Sequence, residues 1–124
     1  MYQIIGEREK GWIDSLLNIN FKGRDILQKQ VLHAKVLCDE EYAYMSIKFN
    51  VETGIEPYPY KVRVPVEMRA FQELSAPIIF LLHVINGFID ELEIITADSS
   101  RLDPDNIKLD KVEYEINEEV LFLQ

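Results

Sequence analysis

The stretch from Ile78 to Ala97, IIFLLHVINGFIDELEIITA, constrains this chain more than any other. It reads as two strands joined by Asn86-Gly87, and both of those residues accept the positive φ that a tight two-residue turn requires. With those two as the loop, Ile85 faces Phe88, Val84 faces Ile89, His83 faces Asp90, Leu82 faces Glu91 and Leu81 faces Leu92. Side chains alternate between faces along a strand. One face then carries Ile79, Leu81, His83, Ile85, Phe88, Asp90, Leu92 and Ile94, and it is expected to be the core face. The other carries Ile78, Phe80, Leu82 and Val84 beside Ile89, Glu91, Glu93 and Ile95. The first strand shows no polar alternation, which predicts a central strand covered on both sides.

The rest of the chain divides around that hairpin. Residues 7–18 place Trp12, Ile13, Leu16 and Leu17 in one helical stripe, with Glu7 and Glu9 in the first turn. Residues 25–34 give a second helix with Ile26, Leu27, Val31 and Ala34 inward. Gln30 falls near that buried face and would need hydrogen-bond partners there. Gly23 allows a tight turn, and Asp25 is expected to cap the second helix.

Four more strand segments follow. Residues 34–38 form a first strand, ended by the charged Asp39-Glu40-Glu41. Residues 42–51 alternate strictly, with Ala43, Met45, Ile47, Phe49 and Val51 on one side. Residues 60–69 alternate again, and Pro65 marks that strand as an edge or as bulged. Residues 111–116 set Val112, Tyr114 and Ile116 against Lys111, Glu113 and Glu115. The tail Val120-Leu121-Phe122-Leu123 is too apolar to stand free, and adds to the sheet, packs on it or meets a partner.

Helices followed by strands predict an α+β fold: two N-terminal helices packed on an antiparallel β-sheet meander of four to six strands. The 124 residues suit a single domain spanning residues 1–124. The helices are expected to cover a face built by Met45, Ile47, Phe49, Val62, Val64, Leu81 and Leu92.

Charge narrows the function classes. The net charge is −9, and residues 90–124 hold 11 of the 22 carboxylates but only 3 of the 13 Lys and Arg. Phosphates need a cationic surface, so nucleic acid is not an expected partner, whereas a basic protein is. No apolar run approaches the roughly 20 residues that span a bilayer, so no membrane role is expected. The N-terminus lacks a secretory pattern and Cys38 is the one cysteine, so the expected location is cytoplasmic.

Chemistry-bearing groups are few. His83 and Asp90 face each other in the register above and could act as a base or a pH-sensitive contact. Arg24, His83, Asp90 and tyrosines form a candidate pocket between helices and sheet. Tyr42, Tyr44, Tyr58 and Tyr60 are candidate interface residues. His33 with Cys38 lacks the surroundings of a nucleophile, and Cys38 reads as a structural thiol. Asp98, Asp103, Asp105 and Asp110 lack the glycine and distal glutamate of a calcium loop and read as a solvated acidic segment. No cofactor, metal site or catalytic residue is assigned.

Several motifs, taken together, resemble an uncharacterised family of small bacterial proteins, a domain of unknown function. They are EREKGWIDSLL at 7–17, FKGRDILQKQ at 21–30, RVPVE at 63–67, LLHVINGFIDELE at 81–93 and LDPD at 102–105. The family's GRDxLxxQ helix motif and NGFxxxLE hairpin motif both appear. The resemblance covers most of residues 7–106 and implies the two-helix-plus-sheet arrangement and no catalytic residue. Family members often carry a cysteine-rich stretch where this chain reads CDEEYAY, so no metal or redox role is carried over.

The functional expectation is a binding protein rather than an enzyme. Its concrete form is an immunity-type inhibitor that neutralises a basic bacterial toxin domain through Glu91, Glu93, Glu113 and Glu115. The alternative is a small-ligand-binding or enzymatic domain using the Arg24, His83 and Asp90 pocket. A third reading is a structural subunit, with monomer and homodimer both open, that dimerises through an edge strand or the apolar tail.

Overall fold

The structure, a computed structural model, describes residues 1–122. The expected apolar stripe forms helix α1, Glu7–Leu16, with Trp12, Ile13 and Leu16 buried and Leu17 at its C-cap. Helix α2, Arg24–Leu32, buries Leu27, Gln30 and Val31. It starts from Gly23 at φ +80, not from a side-chain cap, so Asp25 sits in the first turn without capping it. A Cβ at Gly23 would run into the ring of Tyr58, whose hydroxyl donates to the carbonyl of Lys22 at 2.7 Å. Tyr58 thus pins the bend between the helices.

Among the described residues six strands make one antiparallel sheet: β1 Ala34–Glu40, β2 Tyr44–Val51, β3 Val66–Ala70, β4 Ile78–Ile85, β5 Phe88–Thr96 and β6 Val112–Ile116. Their order is β1-β2-β5-β4-β3-β6. Successive strands pair at β1–β2 and through β3–β4–β5, while β2 reaches β5, and β3 reaches β6, across longer connections. This is the expected α+β class, two N-terminal helices on an antiparallel sheet. The helices cover one face, where Met45, Ile47, Met68, Phe80, Leu82, Leu92 and Ile94 are fully buried. Among the described residues no helix is long and apolar enough to cross a membrane.

Three expectations about the strands are corrected. First, β3 is shorter than residues 60–69 and is not an edge, because β4 and β6 flank it. Pro65 cannot donate, so the ladder begins at Val66; Pro65 only accepts, from the N–H of Asn117 at 3.0 Å. Second, β1 runs on through Asp39 and Glu40, since an edge strand tolerates charge on its solvent side. Third, the faces of β4 are inverted. Ile78, Phe80, Leu82 and Val84 point into the core, and Ile79, Leu81, His83 and Ile85 do not.

A bulge causes the inversion. Asn86 at φ 52 and Gly87 at φ 87 do form the two-residue turn, and Ile85 pairs with Phe88 and Val84 with Ile89. Beyond them the register slips by one. His83 pairs with Glu91, Leu82 with Leu92 and Phe80 with Ile94, leaving Asp90 as the extra residue. The bulge lets Ile89 and Leu92, three apart, both face inward while Glu91 and Glu93 stay outside.

The apolar tail is partly accounted for. Val120 is buried and its carbonyl accepts from the N–H of Lys22 at 2.8 Å, while Leu121 and Phe122 are exposed. The expectation for Leu123 lies outside the described residues.

Candidate functional site

The sheet face away from the helices gathers Glu91, Glu93, Glu113, Glu115, His83 and Tyr44. Partners directly opposite one another in an antiparallel ladder share a face. One row across the sheet reads Lys48, Glu91, His83. The next reads Ser46, Glu93, Leu81, Glu67, Glu115, and the third reads Tyr44, Ile95, Ile79, Arg69, Glu113. Glu91, Glu93, Glu113 and Glu115 therefore lie on one face, joined by Glu67, which the sequence reading did not single out. Half-exposed Ile79, Leu81 and Ile95 sit among the carboxylates.

Two of the carboxylates are held in place. Glu91 accepts from the hydroxyl of Tyr44 at 2.7 Å and from the hydroxyl of Ser46. Burial works against its charged form, but those two donated bonds and the nearby Lys48 outweigh it and hold the carboxyl below its ordinary value. Burial and the same contact with Glu91 push the Tyr44 phenol up. Glu93 bonds to Nε2 of His83 at 3.0 Å, and Nδ1 of His83 accepts from Nε of Arg63 at 3.2 Å. An arginine nitrogen can only donate, so Nδ1 is the acceptor and Nε2 carries the proton given to Glu93. Both ring nitrogens are occupied.

The candidate pocket does not assemble. His83 lies on the open face, paired with Glu91 and not with Asp90. Asp90 is the bulge residue, beside the loop that follows β2. Arg24 sits on the helix layer, reaching the carbonyl of Asn18 at 3.3 Å and Asp25 at 3.4 Å. Between helices and sheet the space is filled by Ile13, Leu16, Phe21 and Leu27, none more than 1% exposed.

The tyrosines also separate. Tyr58 is buried, with Tyr60 against it edge-on at 5.4 Å between ring centroids. Tyr44 is on the open face, and Tyr42 is exposed beside it in the turn between β1 and β2. His33 pairs with Glu52 at 3.3 Å, not with Cys38, whose thiol is pushed up by burial and by Glu9. The acidic loop is dispersed: Asp98 accepts from the N–H of Ser100, Asp103 accepts from the Asn106 side chain, and Asp105 accepts from Arg8. Among the described residues no group of His, Cys, Asp and Glu has the arrangement to hold a metal ion.

The strict alternation of residues 42–51 was enough to put Tyr44, Ser46 and Lys48 on the outward face. Nothing local pointed to Arg63, which arrives from an irregular segment whose carbonyl accepts the N–H of Val84 at 2.7 Å. No family model, curated protein or solved structure matches this chain.

Proposed function

We propose that this chain is a non-catalytic binding protein whose open sheet face engages a basic protein. In its concrete form it is a cytoplasmic immunity-type inhibitor of a bacterial toxin domain. The observation that carries this reading is the set Glu67, Glu91, Glu93, Glu113 and Glu115 on one face around Ile79, Leu81 and Ile95. An apolar centre among five carboxylates, which outnumber Lys48, Arg63 and Arg69 on the same face, suits a partner of net positive charge, and long-range attraction speeds encounter. The occupied ring nitrogens of His83, and the dispersal of Arg24 and Asp90, leave the ligand-pocket alternative without a supporting contact.

The test uses a basic domain encoded beside this gene, titrated against the purified full chain. Affinity is expected to fall at least ten-fold between low and high salt, and by a similar factor in the Glu113→Lys, Glu115→Lys double variant. A domain that binds with the same affinity under all four conditions would remove the acidic face from the interaction.

A further inference from the structure

We infer that the outer edge of β6 is a docking strand, and that its occupant is an extended, basic segment of a partner protein that adds to the sheet as a seventh strand. This deepens the reading of the acidic face and rests on it.

The two edges of the sheet differ. At β1, Gln3 and Val36 exchange both backbone hydrogen bonds, each 2.8 Å, so the N-terminal segment meets that edge at one bridge, midway along its first half. At β6 the phase of the ladder is set by its ends. The N–H of Phe71 donates to the carbonyl of Lys111 at 2.9 Å, and that of Asn117 donates to Pro65 at 3.0 Å. Inward-turned groups recur at every second residue, so Glu113 and Glu115 bond to β3. Val112, Tyr114 and Ile116 turn their N–H and C=O groups outward. Among the described residues no backbone or side-chain group meets those three N–H groups.

The side chains on this edge select the occupant. Glu113 and Glu115 are exposed on the open face, with Glu67 one strand in. Val112, Tyr114 and Ile116 are half-buried on the other face, packed against the core. A strand laid along β6 would place its own alternate residues against these two sets. Lysine or arginine fits opposite Glu113 and Glu115, and apolar side chains fit beside Val112, Tyr114 and Ile116.

A second copy of this chain is disfavoured in the register that overlaps all of β6. The antiparallel register that overlaps the whole of β6 sets Glu113 against Glu115 of the other copy, twice over, and like charges directly opposite destabilise a strand pair. The same carboxylates that recruit a basic segment keep this edge from pairing with itself in that register.

The experiment follows amide hydrogen exchange and chemical shifts of the full chain with a capped heptapeptide alternating Lys and Val, and with its Glu-for-Lys counterpart. The lysine peptide is expected to slow exchange at Val112, Tyr114 and Ile116 at least ten-fold, and the glutamate peptide to leave it unchanged. Glu113→Lys with Glu115→Lys, both at exposed positions, should reverse that preference. Val112→Pro, which removes an outward donor, should weaken the lysine peptide several-fold. Shifts at Lys48, Glu91 and Glu93 without protection of β6 would overturn the edge inference and leave the acidic-face reading standing. Protection of β6 in a species of twice the mass without peptide would overturn it in favour of self-pairing. No response on either surface would overturn both.

Discussion

The side chain of Gln30 completes the strand that begins at Phe88: its Oε1 accepts the backbone N–H of Ile89 at 2.9 Å. Its Nε2 donates to the carbonyls of Gly87 at 2.9 Å and Glu56 at 3.0 Å. β2 pairs with β5 only as far as Glu91, so the last turn of the hairpin has no strand beside it. A fully buried amide from α2 supplies the missing donor and acceptor. Gln30→Leu, similar in size, would leave the Ile89 N–H and the Glu56 carbonyl without these partners. It is expected to cost about 2–4 kcal/mol, read as a lower urea midpoint with unchanged slope. Exchange at the Ile89 amide should accelerate more than exchange at Leu92.

Two glycines should respond to alanine with opposite sign. Gly87 has φ +87, and a Cβ there would lie 2.9 Å from Cβ of Pro57. Gly87→Ala is expected to destabilise by about 1–3 kcal/mol, from left-handed strain and displacement of the Pro57 loop. Gly11 lies inside α1 with nothing within 4 Å of a built Cβ. Gly11→Ala is expected to stabilise by about 0.5–1 kcal/mol. Thermal unfolding of the two single variants decides both.

The bulge makes one deletion tolerable. Removing Asp90 joins Ile89 to Glu91 and restores strict alternation, with Ile89, Leu92 and Ile94 inward and both glutamates outward. The deletion variant is expected to fold, keeping the amide shifts of Ile78–Leu82. Deleting Glu93 instead turns Ile94 and Thr96 outward and should abolish cooperative unfolding. A destabilised Asp90 deletion beside an intact Glu93 deletion would contradict the assigned register.

Glu91 should shape the acid limb of the stability curve. Its folded-state carboxyl lies below the ordinary value of 4.5, so the unfolded chain binds the proton first on acidification. The stabilisation is complete above that ordinary value and is lost as pH falls toward the folded-state value. Glu91→Gln should therefore flatten the fall in stability below about pH 4.5 and change little of the slope between pH 6 and 8. Denaturant midpoints collected across that range test it.

Part of the candidate face was legible from residue order alone. Charge was a good guide to Glu91, Glu93, Glu113 and Glu115, because isolated carboxylates in apolar strands turn toward water whatever their neighbours do. The His83–Asp90 pair was not, because counting outward from the turn assumes an unbroken ladder. The bulge breaks it one step beyond Val84 and hands His83 to Glu93 and Arg63.

What residue order by itself determined is local. Trp12, Ile13, Leu16 and Leu17 at helical spacing set the buried stripe of the first helix, and Asn86-Gly87 set the turn through their tolerance of positive φ. The acidic surplus of the last third was likewise a property of composition. The inward face of β4 was decided elsewhere. Every residue from Ile78 to Leu82 is apolar, so either face could have served as core, and no local preference separates the two. Tertiary packing chose, because Ile89, Leu92 and Ile94 could all be buried beneath the helices only if Asp90 was left out of the ladder. Strand order also lies beyond local preference, because β2 meets β5 and β3 meets β6 across long connections.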